Sequence, residues 1–364
     1  MCDWPEPETE TETETAVQTW LVQTTMPTVV FVNSFARFAD DVMDAVTERG
    51  WAAVKVVEGE APPSDTIAAI GGEDSAALFS QMPNVQLLQV PYTGVDWLDP
   101  SGIPSGCTVA NVHGMETPIA EFVLTGMLES VTGFSKMDAD YKADAVFRTP
   151  FPPAHWNDGQ PVPFHRELAG STVGIIGYGH IGAAVAKRSL AFDMRVIGTA
   201  RRARDGAAPD GLDWLGTSED IPKLLAESDF VVVACPLTLE TEGLIDQAAL
   251  ATMKPDAVLI NVGRGAVCDE AALFDALSTG QIGGAVLDVW WNQPSADDPR
   301  VPGWKDEAHP FHELPNVFIT PHSSGWTQAG TERRRIEEIA KNLDALVSGA
   351  PLINVVATGG GAKL

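Results

Sequence analysis

Basic residues are scarce in this chain: 23 Lys and Arg stand against 50 Asp and Glu, giving a formal charge of -27 at pH 7. A surface of that sign repels nucleic acid and anionic membranes, so neither is expected as a partner. Cysteine is thin as well. Cys2, Cys107, Cys235 and Cys268 are scattered, with no C-x-x-C and no metal-ligand spacing. That argues against a disulfide scaffold and against a metal site, and it fits a reducing, cytoplasmic compartment. No apolar run is long enough to cross a bilayer without charges or turn residues. The acidic N-terminus also lacks the apolar segment of a secretory signal.

What is present is ordinary for a folded protein: 45% hydrophobic and 20% charged residues in a chain of 364, long enough for two domains. Residues 1–26 carry a self-repelling Thr-Glu repeat and are expected to form a disordered acidic tail without chemistry. Two sources of the acidic charge stay open: adaptation to a salty interior, or an acidic tail on a moderately acidic enzyme. Activity across a salt series separates them.

One stretch organises the rest, TVGIIGYGHIGAAVAKRSLAFDMRVIGTARR from Thr172 to Arg202. A short apolar run, Val173 to Ile176, has the composition of a buried parallel strand. Gly177, Gly179 and Gly182 follow as G-x-G-x-x-G, then a helical pattern to Leu190 and a second apolar run, Met194 to Ile197. Strand, glycine turn, helix and strand together form the context of a dinucleotide-binding fingerprint. Gly177 permits the sharp turn, Gly179 leaves room for a pyrophosphate, and Gly182 lets the helix approach the sheet. The helix start offers free N–H groups to the phosphates.

Before this unit, strands are expected at Val29–Val32, Ala53–Val57, Thr66–Ile70, Val85–Val90 and Cys107–Asn111, with a helix over Ala36–Arg49. A long helix opens at Thr117. Residues 134–168, rich in Pro, aromatic and polar residues, read as irregular connection. After the fingerprint come strands at Asp229–Ala234, Ala257–Asn261, Gly284–Val289 and Val317–Thr320. Helices are expected at Glu270–Ser278 and Glu332–Val347, and then a short tail. The expected fold is α/β, two doubly wound Rossmann-like domains with the cofactor domain inserted into a flavodoxin-like substrate domain. The boundaries are 27–116 and 323–364 for the substrate domain and 117–322 for the NAD(P)-binding domain. The ligand cleft then falls between them, at the C-terminal ends of the strands.

Two residues at different strand ends suit the redox chemistry of a carboxylate. Arg264, in INVGRGAVCDE, can bind a carboxylate bidentately, and His322, in ITPHSSGW, can exchange the proton that accompanies hydride transfer. GGAVLDVWWNQP between them presents Asp288 and Gln293.

The ordered motifs GYGHIG, CPLTLET, NVGRG, LDVW…QP and TPHSSG resemble the D-isomer-specific 2-hydroxyacid dehydrogenase family, which includes formate and phosphite dehydrogenases. The resemblance covers roughly residues 85–350. It implies that the loop at Thr93 and Gly94 offers N–H groups to a substrate carboxylate, that Arg264 binds substrate, and that His322 is the acid/base. It also implies a homodimer built largely through the cofactor domains. Cofactor contacts are implied at Gly177, Gly179, His180, Ile181 and Gly182, at Cys235 and Pro236, at Val262, and at His322 and Gly325. Asp288 matches the residue that holds the nicotinamide carboxamide.

Two positions depart from the family pattern. Most members place Glu where this chain has Gln293, and a carboxylate there would favour the imidazolium of His322 where an amide adds no charge. Formate dehydrogenases also carry Gln, but they place Asn where this chain has Met115, in the loop NVHGMETPIAE. His113 and Glu116 in that loop are candidates for shaping specificity or for replacing the missing carboxylate. Trp290, Trp291 and Trp326 could wall the pocket or serve packing. The second difference concerns the cofactor. NAD-specific members end the second strand of the unit with Asp or Glu, and this chain has Ala200, flanked by Thr199, Arg201 and Arg202. A hydroxyl and two guanidinium groups without the acid favour the 2′-phosphate of NADP, with NAD possible.

The expected activity is hydride transfer between NAD(P) and a small 2-hydroxy or 2-keto acid such as glyoxylate or hydroxypyruvate. Alternatives are a formate dehydrogenase-like enzyme and a non-catalytic, nucleotide-sensing interaction protein.

Overall fold

The computed structural model describes residues 26–32, 39–57, 60–72, 78–79, 81–96, 98, 102–145, 164–201, 208–292, 300–328 and 330–360. Two sheets carry the chain. The first is built from β1 (Thr28–Val32), β2 (Ala52–Val56), β3 (Thr66–Ile70), β4 (Leu87–Gln89) and β5 (Thr108–Ala110). They run parallel in the order β5-β4-β3-β1-β2. The unbroken TVVFV of β1 is buried at every residue, as a parallel strand covered on both faces requires.

The second sheet contains β6 (Thr172–Ile176), β7 (Arg195–Thr199), β8 (Trp214–Gly216), β9 (Phe230–Val233), β10 (Val258–Asn261), β11 (Gly284–Leu287) and β12 (Val317–Ile319). All are parallel, in the order β8-β7-β6-β9-β10-β11-β12. The strand order therefore reverses between β6 and β9, the switch point at which such sheets open a ligand crevice.

Two long helices link the sheets. α2 (Glu116–Thr132) buries Ile119, Val123 and Met127 in one core with Val173, Val185 and Val286 of the second unit. A Cβ at its Gly126 would meet Val286 Cγ2 at 2.9 Å, so the glycine permits close helix–sheet approach. α8 (Gly330–Ser348) instead buries Ile339 and Leu343 with Phe31 and Leu87 of the first sheet. Each such buried side chain stabilises by about 1.5–3 kcal/mol. α1 (Ala39–Thr47) packs beside α8 through Val42 and Val46, while Ala36 to Phe38 of the expected helix lie outside the described residues.

Two expectations are corrected. Residues 134–144, read as irregular, form α3 (Phe134–Asp144), separated from α2 by Gly133 in the left-handed region at φ 57°. α3 buries none of its residues, so it has no apolar stripe to read. Exposed i,i+4 pairs, Lys136–Asp140 and Asp138–Lys142 at 2.7 Å each, support it instead. The segment read as a tail contains β13 (Val355–Thr358), which pairs antiparallel with β5 and completes the first sheet. β8 and two short helices, α5 (Ile221–Glu227) and α6 (Gln247–Thr252), were not expected; α4 (His180–Leu190) and α7 (Glu270–Ser278) were. Among the described residues no helix is long and apolar enough to cross a membrane.

Candidate active site

The glycine turn after β6 has the shape its spacing predicts. Gly177 sits at φ 95°, and a Cβ there would meet Cys235 N at 2.6 Å. A Cβ at Gly182 would meet the Gly177 carbonyl at 2.8 Å, whereas at Gly179 nothing lies within 4 Å. The outer glycines serve the turn and the packing, and the middle one faces open space. α4 begins at His180 with Gly179 as its N-cap and no side chain capping it. Its first N–H groups and its positive dipole end are thereby left for a ligand anion. This cradle fits a dinucleotide pyrophosphate.

The neighbouring residues divide between cradle and scaffold. The Thr199 carbonyl accepts from Gly177 N (3.0 Å) and Tyr178 N (2.8 Å), which ties the end of β7 to the glycine turn. Thr199 is only 2% exposed, so its contribution is through the backbone rather than a hydroxyl offered to ligand. Arg201 is exposed beside Ala200 and makes no ion pair among the described residues; Arg202 lies outside them. Cys235 and Val262 are buried on the cradle floor, Ile181 is half-buried and Pro236 is exposed. Burial pushes the Cys235 thiol up to about 11, which keeps it protonated and unreactive.

The Thr93–Gly94 loop meets Arg264 from the other sheet. Thr93 Oγ1 donates to the Val112 carbonyl (2.9 Å), and Asn111 Nδ2 donates to the Thr93 carbonyl (2.7 Å), which fixes the loop. A Cβ at Gly94 would overlap the Arg264 guanidinium, so a side chain there would push the guanidinium from its present place. Arg264 donates from Nη1 to the Gly263 carbonyl (2.9 Å), and from Nε (3.0 Å) and Nη2 (2.8 Å) to one oxygen of Asp96. Burial would raise the Asp96 pKa, but the hydrogen bond and charge of Arg264 bring it below the ordinary value. Asp96 was missed from the sequence; its signal was the PYTGVDWLD run just past β4.

His322 follows β12 and has φ 55°, the left-handed region that a residue with a Cβ rarely adopts. Asp288 holds this turn. Its carboxylate accepts from Thr320 Oγ1 (2.7 Å) and Ser323 N (2.8 Å) on one oxygen, and from Ser324 N (3.1 Å) and Ser324 Oγ on the other. Asp288 is 0% exposed with both oxygens engaged, so it anchors the His322 turn. His322 is exposed as a residue, but the crowding around its ring lowers its pKa, chiefly by desolvation. Asp288 and Asp96 oppose that shift and Arg264 reinforces it.

The remaining candidates are dispersed. Gln293 lies outside the described residues. Glu116 accepts from Gly114 N (2.7 Å) and His113 stacks on His180, so neither takes the place of a carboxylate beside His322. The indoles of Trp290 and Trp291 donate to the carbonyls of Thr320 (2.8 Å) and Cys268 (2.7 Å), which makes them scaffold for the strand ends. Trp326 is 67% exposed. Gly325 is buried against Met115, whose Sδ would lie 3.1 Å from a Cβ there.

Residues 124–324 match the model of the D-isomer specific 2-hydroxyacid dehydrogenase NAD binding domain. The chain is 32% identical over 281 residues to glycerate dehydrogenase of Methylorubrum extorquens, covering 76% of this chain and 80% of that protein. It is 38% identical over 286 residues to glyoxylate reductase of Thermococcus litoralis, covering 77% and 79%. A solved D-isomer specific 2-hydroxyacid dehydrogenase from Xanthobacter autotrophicus Py2, in complex with NADPH and MES, superimposes with a TM-score of 0.74. That structure shares 27% identity, over 90% of this chain and 98% of that one. With its glycine cradle and with an Arg and a His just past the ends of β10 and β12, the chain belongs to the D-isomer specific 2-hydroxyacid dehydrogenase family and is an NAD(P)-dependent oxidoreductase.

Proposed function

We propose that the enzyme interconverts small 2-keto acids, of the glyoxylate and hydroxypyruvate kind, with their 2-hydroxy acids, preferring NADP(H). The observation that carries this is the meeting of Arg264 with Gly94 across the two sheets, within electrostatic reach of His322. Asp96 and Gly263 leave one hydrogen each on Nη1 and Nη2 of Arg264. That pair receives the substrate carboxylate, and the Gly94 N–H adds a third donor. His322 gives a proton to the carbonyl oxygen in reduction and takes it back in oxidation. The bound nicotinamide supplies or accepts the hydride. Relatives named glycerate dehydrogenase and glyoxylate reductase support this substrate class.

The NADP preference rests on Ala200 at the usual acid position and on Arg201 and Arg202 beside it, and a relative solved with NADPH agrees with it. The division into a substrate unit, 27–116 with 323–364, and a cofactor unit, 117–322, is supported by the separate cores of α8 and α2. A homodimer is supported by α3, which buries nothing in one chain and carries exposed Phe134 and Tyr141. A cytoplasmic location is supported by the scattered cysteines, of which the three described are free and buried. The test is absorbance of NADPH and NADH with glyoxylate and hydroxypyruvate. NADPH oxidation by either acid is expected; silence with both nucleotides would overturn the assignment.

A further inference from the structure

His113 and His180 stack across the cleft, ring centroids 4.0 Å apart and planes at 21°. His180 opens α4, at the end of the glycine cradle where the first N–H groups stand free. His113 belongs to the other unit, in the crossing from β5 to α2. Three residues of α8 fix it there. Glu338 Oε2 accepts from His113 N (2.7 Å), Arg334 Nε donates to the Gly114 carbonyl (2.7 Å), and Arg335 Nη2 reaches Met115 Sδ (2.7 Å). Gly114 sits at φ 89°, and a Cβ there would meet Arg334 Cβ at 2.9 Å. A braced arm therefore carries the His113 ring to the phosphate end of the cradle.

The charged and titratable groups that bear on this ring are Glu338 of α8, Glu116 of α2 and His180 of α4. Desolvation lowers the His113 pKa, His180 lowers it further, and the two glutamates oppose them. Both carboxylates are already engaged, Glu338 with His113 N and Asn354 Nδ2 and Glu116 with Gly114 N. The ring thus faces the cradle neutral at pH 7, with no carboxylate of its own hydrogen-bonded to it among the described residues.

We propose that His113 is a cofactor-binding residue supplied by the substrate unit: stacked on His180, it closes over the dinucleotide pyrophosphate and takes up a proton when that anion binds. This rests on the dinucleotide reading above. Two phosphate charges arriving at the start of α4 favour the charged form of the His113 ring, and the proton comes from solvent. Because the two imidazoles belong to different units, the same anion is held from both sides.

The test is calorimetric titration of the full chain with NADH, and separately NADPH, in two buffers of different ionisation enthalpy. Dissociation constants are also measured from pH 6 to 8. The parent is expected to take up a fraction of a proton, up to one, and to bind about three- to tenfold more tightly per pH unit on acidification. His113→Phe, which keeps a ring in the stack, and His113→Gln, which keeps a polar group, should both flatten that dependence and lose the uptake. The 2′-phosphate of NADPH titrates equally in parent and variants, so it cancels in the difference. Unchanged uptake in both variants, or none in the parent, would overturn the inference alone. Failure of the parent to bind either nucleotide would overturn the functional assignment as well.

Discussion

Arg264 and Asp96 face each other across the cleft, with Nε and Nη2 of the guanidinium on a single carboxylate oxygen at 3.0 and 2.8 Å. Both side chains remain about a third exposed, so the pair is screened and its value is geometric: it sets which edge of the guanidinium is free. Asp96→Asn should raise KM for the keto acid about tenfold and change kcat less, because a carboxylate holds the fork more firmly than an amide. Steady-state kinetics at saturating nucleotide checks this, and an unchanged KM would leave Asp96 without a part in substrate binding.

The depressed pKa of His322 fixes the sign of the pH response. Reduction needs the imidazolium as donor, so reductive kcat/KM falls as pH rises through the lowered value; oxidation needs the neutral ring and gains over the same interval. Both midpoints should lie below the ordinary imidazole pKa of about 6.5. Asp96 holds the His322 pKa up, so Asp96→Asn moves them further to acid. The unfolded chain binds this proton more readily, so stability contributed by neutral His322 is lost as pH falls below the ordinary value. Paired pH–rate profiles in the two directions decide it.

Asp288 accepts four hydrogen bonds while fully buried. In Asp288→Asn one oxygen becomes an amide that points hydrogens at other donors. Loss of stability of about 2 kcal/mol is expected from the unsatisfied groups, together with a fall in kcat as the His322 turn relaxes. Thermal unfolding and single-turnover rates measure the two effects separately.

Ala200→Asp should move the NADPH-to-NADH preference by on the order of 10–100-fold towards NADH, since the new carboxylate repels a 2′-phosphate and accepts from a ribose hydroxyl. The readout is the ratio of kcat/KM for the two nucleotides. A ratio that stays put would mean that the adenosine ribose binds elsewhere.

Phe134 is 68% exposed on a helix that buries nothing. Phe134→Glu should shift a dimer to monomer in light scattering after gel filtration, with secondary structure retained. A monomeric parent would remove the assembly from the proposal.

The fingerprint, both strand orders' core strands and the Arg264 and His322 positions were legible because each rests on local pattern: apolar runs, glycine spacing, residues just past strand ends. α3 was not, because a helix held by exposed ion pairs carries no apolar period. Asp96 escaped because its importance arises only when Arg264, far along the chain, is folded against it. The hydrogen bonds of Asp288 were not legible, because they depend on the left-handed turn at His322. The partner of His113 was invisible for the same reason: one imidazole arrives from each unit.

β13 closes the first sheet from the far end of the sequence. On the ribosome the second sheet is therefore complete while β5 still presents an unpaired edge, the kind of strand that recruits foreign chains. β13 is the guard of that edge. A chain shortened before Val355 would keep its nucleotide cradle and every strand of the second sheet, yet expose β5 as a seam for aggregation.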